Sequence, residues 1–148
     1  MTKIFPITLY HNPACGTSRN TLAMIRAAGY EPEIINYLQT GWTQEQLVGL
    51  LRAMNVTARD ILRIKGTPAE AMGLTDPSTA DEVILEAMLV HPILVNRPIV
   101  VTPIGTQLCR PSEAVIPLLD RFPESFTKAD GEIVYPQEAQ NSRLNDER

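Results

Sequence analysis

The chain has 148 residues, 44% of them hydrophobic, and a net charge of −4. That length suits one domain with a full apolar core, which needs neither a disulfide framework nor a structural metal to hold it. The negative balance argues against a non-specific nucleic-acid binder or a membrane-surface protein, and still leaves room for a small basic pocket.

Residues 4–10 read as a short strand, with Pro6 near its start or on an edge. A polar loop over 11–17 follows, then a helix over about 18–28, capped by Thr17 or Ser18 and stopped by Gly29. Residues 33–38 form a second strand, and the strand–helix–strand order predicts a right-handed βαβ unit. Residues 43–90 then read as helical. Thr43 and Gln46 form a capping box ahead of a helix to about Met54, and shorter helices follow over 57–63, about 68–72 and 79–90. After Pro92 the pattern returns to strand at 93–95, 99–102 and 106–110, with a hairpin turn at Pro103-Ile104-Gly105. A short helix from Pro111 to about Leu119 closes the core. These elements predict an α/β fold: a mixed sheet with flanking helices and a helical insertion at about 43–90, in a single domain over 4–135. Residues 136–148 are read as a polar tail that frays. No stretch approaches 18 consecutive apolar residues and no signal-like run opens the chain, so a cytoplasmic monomer without membrane or nucleic-acid partners is expected.

Only Cys15 and Cys109 carry sulfur that can react, and in a reducing compartment both are free thiols. Position 18 is serine, so there is no Cys-x-x-Cys, and no cluster of Cys and His has zinc spacing. Cys15 lies in a Gly-flanked loop at the start of a helix, where backbone N–H groups favour a thiolate. Cys109 lies in an alternating strand and reads as core. A free cysteine is only about 3% thiolate at pH 7, and reaching mostly thiolate takes about 2.7 kcal/mol. A helix N-terminus supplies about 0.3–1 kcal/mol, so a nearby cation or donor must add the rest. His11, Ser18, Arg19, Arg63, Arg97 and Arg110 are the candidates. Each arginine taken alone is as well explained by a surface ion pair, Arg19 by a solvated helix face, and His91 by a structural helix–strand junction.

The run Tyr10-His11-Asn12-Pro13-Ala14-Cys15-Gly16-Thr17-Ser18-Arg19-Asn20-Thr21-Leu22 resembles the active-site loop of the glutaredoxin-dependent bacterial arsenate reductases. The block His91-Pro92-Ile93-Leu94-Val95-Asn96-Arg97-Pro98-Ile99-Val100-Val101-Thr102-Pro103 is similar to that family, as are Gly105-Thr106 and Cys109-Arg110-Pro111-Ser112-Glu113. The resemblance covers roughly residues 7–135. It implies a thioredoxin-like (glutaredoxin-like) fold, with Arg97-Pro98 as the candidate X-Pro segment facing the cysteine loop, its peptide cis or trans. It implies Cys15 as nucleophile and His11 as the histidine that helps lower its pKa. Arg63, Arg97 and Arg110 match the family's anion-binding arginines. No bound cofactor or metal is implied; the substrates are arsenate and glutathione, and the protein partner is glutaredoxin. In the implied route Cys15 attacks arsenic, glutathione attacks the thioarsenate, and glutaredoxin resolves the mixed disulfide as arsenite leaves.

Three other readings stay open at this level. A thiol-based regulator that binds RNA polymerase would sense through Cys-x-x-Cys, which Ser18 interrupts. A phosphatase of the Cys-x5-Arg type would need arginine at position 21, where threonine stands. A general glutathione-dependent thiol reductase has the nearest chemistry.

Overall fold

A computed structural model describes residues 4–136. They fall into two compact units: the described parts of Met1–Ile35 and Arg97–Arg148 form one, and Asn36–Asn96, inserted in the chain between those parts, forms the other.

The first unit opens with β1 (Thr8–His11) and α1 (Gly16–Ala27). The helix starts two residues earlier than the sequence pattern predicts, because Cys15 itself occupies the N-cap position in extended conformation. It buries Ser18, Thr21, Met24 and Ile25, the three- and four-residue steps of one helical face. Gly29 ends it at φ +93°, a conformation that glycine adopts without steric cost. Arg121 completes that end: its Nε donates to the Ala28 carbonyl at 2.9 Å, and its guanidinium lies 4.5 Å from the centre of the Tyr30 ring.

The sheet runs in the order β2 (Glu33–Asn36), β1, β3 (Ile99–Val101), β4 (Thr106–Leu108). β3 pairs antiparallel with both β1 and β4, placing Val100 opposite Leu9 on one side and Gln107 on the other. The β3–β4 turn closes with reciprocal backbone bonds between Thr102 and Gly105, while the Thr102 hydroxyl donates to the Leu118 carbonyl at 2.6 Å. The predicted closing helix is instead a 3-10 helix, Ser112–Leu118, with Pro117 inside it. Proline lacks the N–H that an α-helical bond at that position would need. This segment packs against α1, and Ile7, Leu9, Met24, Ile25, Val100 and Val115 meet in the core with the fully buried Cys109. Burying a side chain of that size contributes about 1.5–3 kcal/mol. A further hairpin of β5 (Phe126–Thr127) and β6 (Ile133–Val134) was not predicted, since two-residue strands are too short to show a period.

In the second unit the predicted strand 33–38 gives way after Asn36 to α2 (Tyr37–Thr40), because Asn36 Oδ1 accepts the Leu38 N–H and caps a helix there. α3 (Gln44–Met54) carries the expected Thr43–Gln46 capping box and ends on Asn55 in the left-handed conformation. The segment 57–63 keeps only a 3-10 turn at Arg59–Ile61, and the helix predicted over 68–72 is a series of turns. Arg59 organises them, donating to the carbonyls of Leu74, Asp76 and Thr79. α4 (Asp81–Val90) follows. The strand predicted at 93–95 is a 3-10 helix, Pro92–Leu94, begun by a proline at its first position. Val95 keeps only an isolated bridge to Leu62, and its carbonyl accepts the Tyr37 hydroxyl at 3.1 Å.

Candidate active site

The loop between β1 and α1 is built from short-range bonds that fix the backbone before any substrate arrives. Asn12 makes two of them, its Oδ1 accepting the Ala14 N–H at 3.0 Å and its carbonyl accepting the Cys15 N–H at 3.0 Å. This is an Asx turn stacked on a backbone turn, which the adjacent Pro13 suits with its fixed φ. Arg19 ties the outside of the same loop, donating to the Pro13 carbonyl at 2.8 Å. The arginine read as a solvated helix residue therefore braces the cysteine loop.

Ser18 is fully buried beneath it. Its hydroxyl oxygen accepts the Asn12 N–H at 3.1 Å and lies 2.7 Å from His11 Nδ1. Burial, reinforced by the Arg19 and Arg26 charges, holds the His11 pKa below the ordinary value. We therefore assign a neutral ring with its proton on Nε2, so that Nδ1 accepts the Ser18 hydroxyl proton. The positive charge beside the sulfur comes from arginine, and His11 touches the loop through Ser18.

Cys15 is 7% exposed, at the mouth of α1. Arg110 Nη1 lies 3.7 Å from its sulfur and also donates to the Arg97 carbonyl at 3.0 Å. Burial alone would push the thiol up. The Ser18 backbone N–H, the Arg97 charge and hydrogen bonds from Arg110 and Arg97 outweigh it, and the pKa falls below the ordinary cysteine value. No side chain caps α1 with a regular hydrogen bond at this position. The favourable effect of the Ser18 N–H is thus the pull of a helix N-terminus on a nearby anion. Both arginines precede cis prolines, at Arg97-Pro98, where the sequence left the isomer open, and at Arg110-Pro111.

Cys109 provides the contrast. It is fully buried in the apolar core, its thiol is directed at the Gln107 carbonyl 3.7 Å away, and burial pushes its pKa up to about 12. A thiol in that state is neither nucleophile nor resolving partner.

The first unit thus brings together Cys15, His11, Arg97 and Arg110. Arg63 belongs to the second unit, where its N–H donates to the Leu94 carbonyl at 2.8 Å and its own carbonyl accepts the Thr67 hydroxyl at 2.8 Å. Ser18 and Arg19 were among the sequence candidates, though not for the bonds they make, and the role of Asn12 in the loop was missed. The Asn-Pro pair is a legible turn signal, but nothing in a linear pattern shows which carbonyl an arginine will reach. Among the described residues no group of three or more His, Cys, Asp or Glu side chains is placed to hold a metal ion, and no helix is long and apolar enough to cross a membrane.

A buried, arginine-flanked thiol at a helix start is suited to nucleophilic attack on an oxyanion. Comparison with known proteins points the same way. The model of the ArsC family matches residues 10–117. An arsenate reductase of Rhizobium meliloti (strain 1021) is 55% identical over 129 residues, covering 86% of this chain and 92% of that protein. One from Escherichia coli (strain K12) is 54% identical over the same span and coverage. Among solved structures, an arsenate reductase from Vibrio cholerae matches with a TM-score of 0.74 at 34% identity, covering 79% of this chain and 100% of that one.

Proposed function

The chain belongs to the ArsC family, and from that membership we propose that it is an oxidoreductase that reduces arsenate to arsenite in arsenic detoxification, with Cys15 as nucleophile. The single observation that carries the reading is the Arg110 guanidinium 3.7 Å from a buried sulfur whose pKa is lowered. Arsenate near neutral pH resembles phosphate in being largely a dianion. A thiolate and a dianion in one site call for concentrated positive charge, and each guanidinium contributes charge-assisted, often bidentate hydrogen bonds worth about 1.5–3 kcal/mol.

In this reading the Cys15 thiolate attacks arsenic, and the departing hydroxide takes a proton from solvent to leave as water, giving a thioarsenate. Glutathione attacks the adduct. Two electrons pass from the two sulfurs to arsenic, which departs as arsenite and leaves a Cys15–glutathione disulfide. Glutaredoxin then reduces that disulfide. Ser18 supports the need for an outside thiol, because the loop offers no second cysteine. Arg97 and Arg110 hold the oxyanion and the thiolate, and Arg63 is the third anion-binding arginine on the strength of its motif, Ile61-Leu62-Arg63. His11 acts on the nucleophile through Ser18. The cytoplasm, with its glutathione, is the compartment this chemistry requires.

The test is arsenate reduction with glutathione and glutaredoxin, comparing wild type with Cys15→Ser. Wild type turns over and the serine variant does not. Absence of arsenate-dependent turnover in wild type sinks the reading. Activity on other glutathione disulfides in its place moves the chain to the general thiol reductases.

A further inference from the structure

One charged cluster of the first unit lies outside the cysteine loop yet touches both segments that frame it. Lys128, just after β5, is only 10% exposed; its ammonium pairs with Glu113 at 2.8 Å and with the exposed Glu132 at 3.5 Å. Glu113 is itself 20% exposed and lies in the 3-10 helix Ser112–Leu118, which begins just after Arg110-Pro111. The next residue in the turn, Ala129, donates its N–H to Asn20 Oδ1 at 3.3 Å. Asn20 stands on α1, the helix that Cys15 caps. The β5–β6 turn is therefore bonded on one side to the cysteine helix and on the other to the segment that carries Arg110.

The turn has its own internal order. The Lys128 N–H donates to the Glu132 carbonyl at 2.8 Å, the Glu132 N–H donates to Asp130 Oδ1 at 2.9 Å, and Gly131 takes φ +94°. It presents a pre-formed cation to a half-buried carboxylate.

We propose that the β5–β6 hairpin is a clip that sets the distance between Cys15 and Arg110, with Lys128 as its positioning residue. The proposal rests on Cys15 being the nucleophile, and Lys128 touches neither the sulfur nor the substrate. The Lys128–Glu113 pair is worth holding because removing one partner leaves the other charge poorly solvated. Burial alone would lower the Lys128 pKa, but Glu113, aided by Glu132, raises it above the ordinary value, so the cation persists at any working pH. The Arg110 side chain reaches the sulfur from a chain segment whose next helix is pinned by this ion pair. With the pin removed, Arg110 loses the fixed approach that holds it at Cys15.

The experiment reads the sulfur, without arsenate, in the full-length protein. Thiolate absorbance against pH gives the Cys15 midpoint, since Cys109 is fully buried with its pKa near 12. The charges facing Cys15 are Arg97 and Arg110, with Arg19 and the neutral His11 in the adjoining loop. None is altered by changing Lys128. Lys128→Met raises the midpoint by about one unit, or about tenfold less thiolate on its acid side. Lys128→Arg restores it, and Asn20→Ala, which cuts the other tether, moves it the same way by less. A midpoint in folded Lys128→Met equal to that of wild type overturns the clip. If that variant does not fold, Asn20→Ala decides alone: a rise supports the clip and an unchanged midpoint overturns it. Failure of wild type to reduce arsenate counts against the proposed function and leaves this titration intact.

Discussion

The same side chain occupies two opposite states in this protein. Cys109 sits in the apolar core with its thiol directed at a carbonyl, and burial keeps it protonated. Cys15 is almost as buried, yet donors from Ser18, Arg97 and Arg110 reverse the sign of the shift. Depth separates them in part, since Cys15 lies at the mouth of α1 and Cys109 within the core, but only the donors turn the shift downward. Arg110→Met, which keeps the aliphatic stem and removes the donors, raises the Cys15 pKa toward its ordinary value. A hydrogen bond to a charged group is worth about 1.5–3 kcal/mol, so kcat/KM for arsenate falls by roughly 10- to 100-fold. The alkylation rate of Cys15 against pH checks the first effect, and steady-state kinetics the second. An unchanged pH profile removes Arg110 from the nucleophile's support. Much of this environment was legible in the chain: a lone cysteine at a helix start demanded cations, and motif resemblance named the arginines. Its supporting bonds were not, because Ser18 and Asn12 act by the direction of a hydroxyl and an amide that only three-dimensional placement reveals.

Elements were readable in proportion to how local their causes are. The capping box at Thr43 depends on four consecutive residues and forms as written. Ile93-Leu94-Val95 is an apolar run that strand and helix both tolerate, and Pro92 decides for a 3-10 turn. The segment 68–72 lies between glycines at positive φ, Gly66 and Gly73, and the turns that follow it are fastened by Arg59, which is remote in sequence. The end of α1 shows a local signal and a distant one agreeing. Gly29 sits at φ +93°, and a Cβ there would lie 3.0 Å from Arg121 Nη2, the group that donates to the Gly29 carbonyl and flanks Tyr30. Gly29→Ala adds the left-handed penalty of about 1–2 kcal/mol and displaces that cap. Urea unfolding should show a lower midpoint with an unchanged slope, and in an Arg121→Ala background the loss from Gly29→Ala should be smaller. Additive losses in the double variant remove Arg121 from the account.

At the level of the whole molecule, the order of strands and helices conveyed the α/β class, and the segment read as a helical insertion over about 43–90 lies within the separate unit Asn36–Asn96. The β5–β6 hairpin escaped because its two-residue strands are too short to show a period, and it is held by contacts to other elements, Val134 in the core and Lys128 on Glu113. The core to which the first unit owes its stability also contains a titratable group, and that has a consequence for the response to alkali. Cys109 has a folded-state pKa of about 12 against an ordinary 9.0, so on raising the pH the unfolded chain loses this proton first. Its contribution to stability is complete below the ordinary value and is lost as pH climbs toward the folded one, by about 1.4 kcal/mol per unit. Tyr30, beside Asp120, and Lys128, held up by Glu113 against its burial, are raised as well, but both are common to wild type and a Cys109 variant. Cys109→Ala therefore isolates the thiol. At pH 7 it destabilises through the small cavity it leaves, by about 1 kcal/mol. By pH 10.5 wild type has lost about 2 kcal/mol that the alanine chain never had, and the gap closes or inverts. Urea unfolding of both proteins across pH 7 to 10.5 measures the difference directly. A gap that stays constant over that range means the thiol ionises in the folded chain as readily as in the unfolded one, and the core around it admits water.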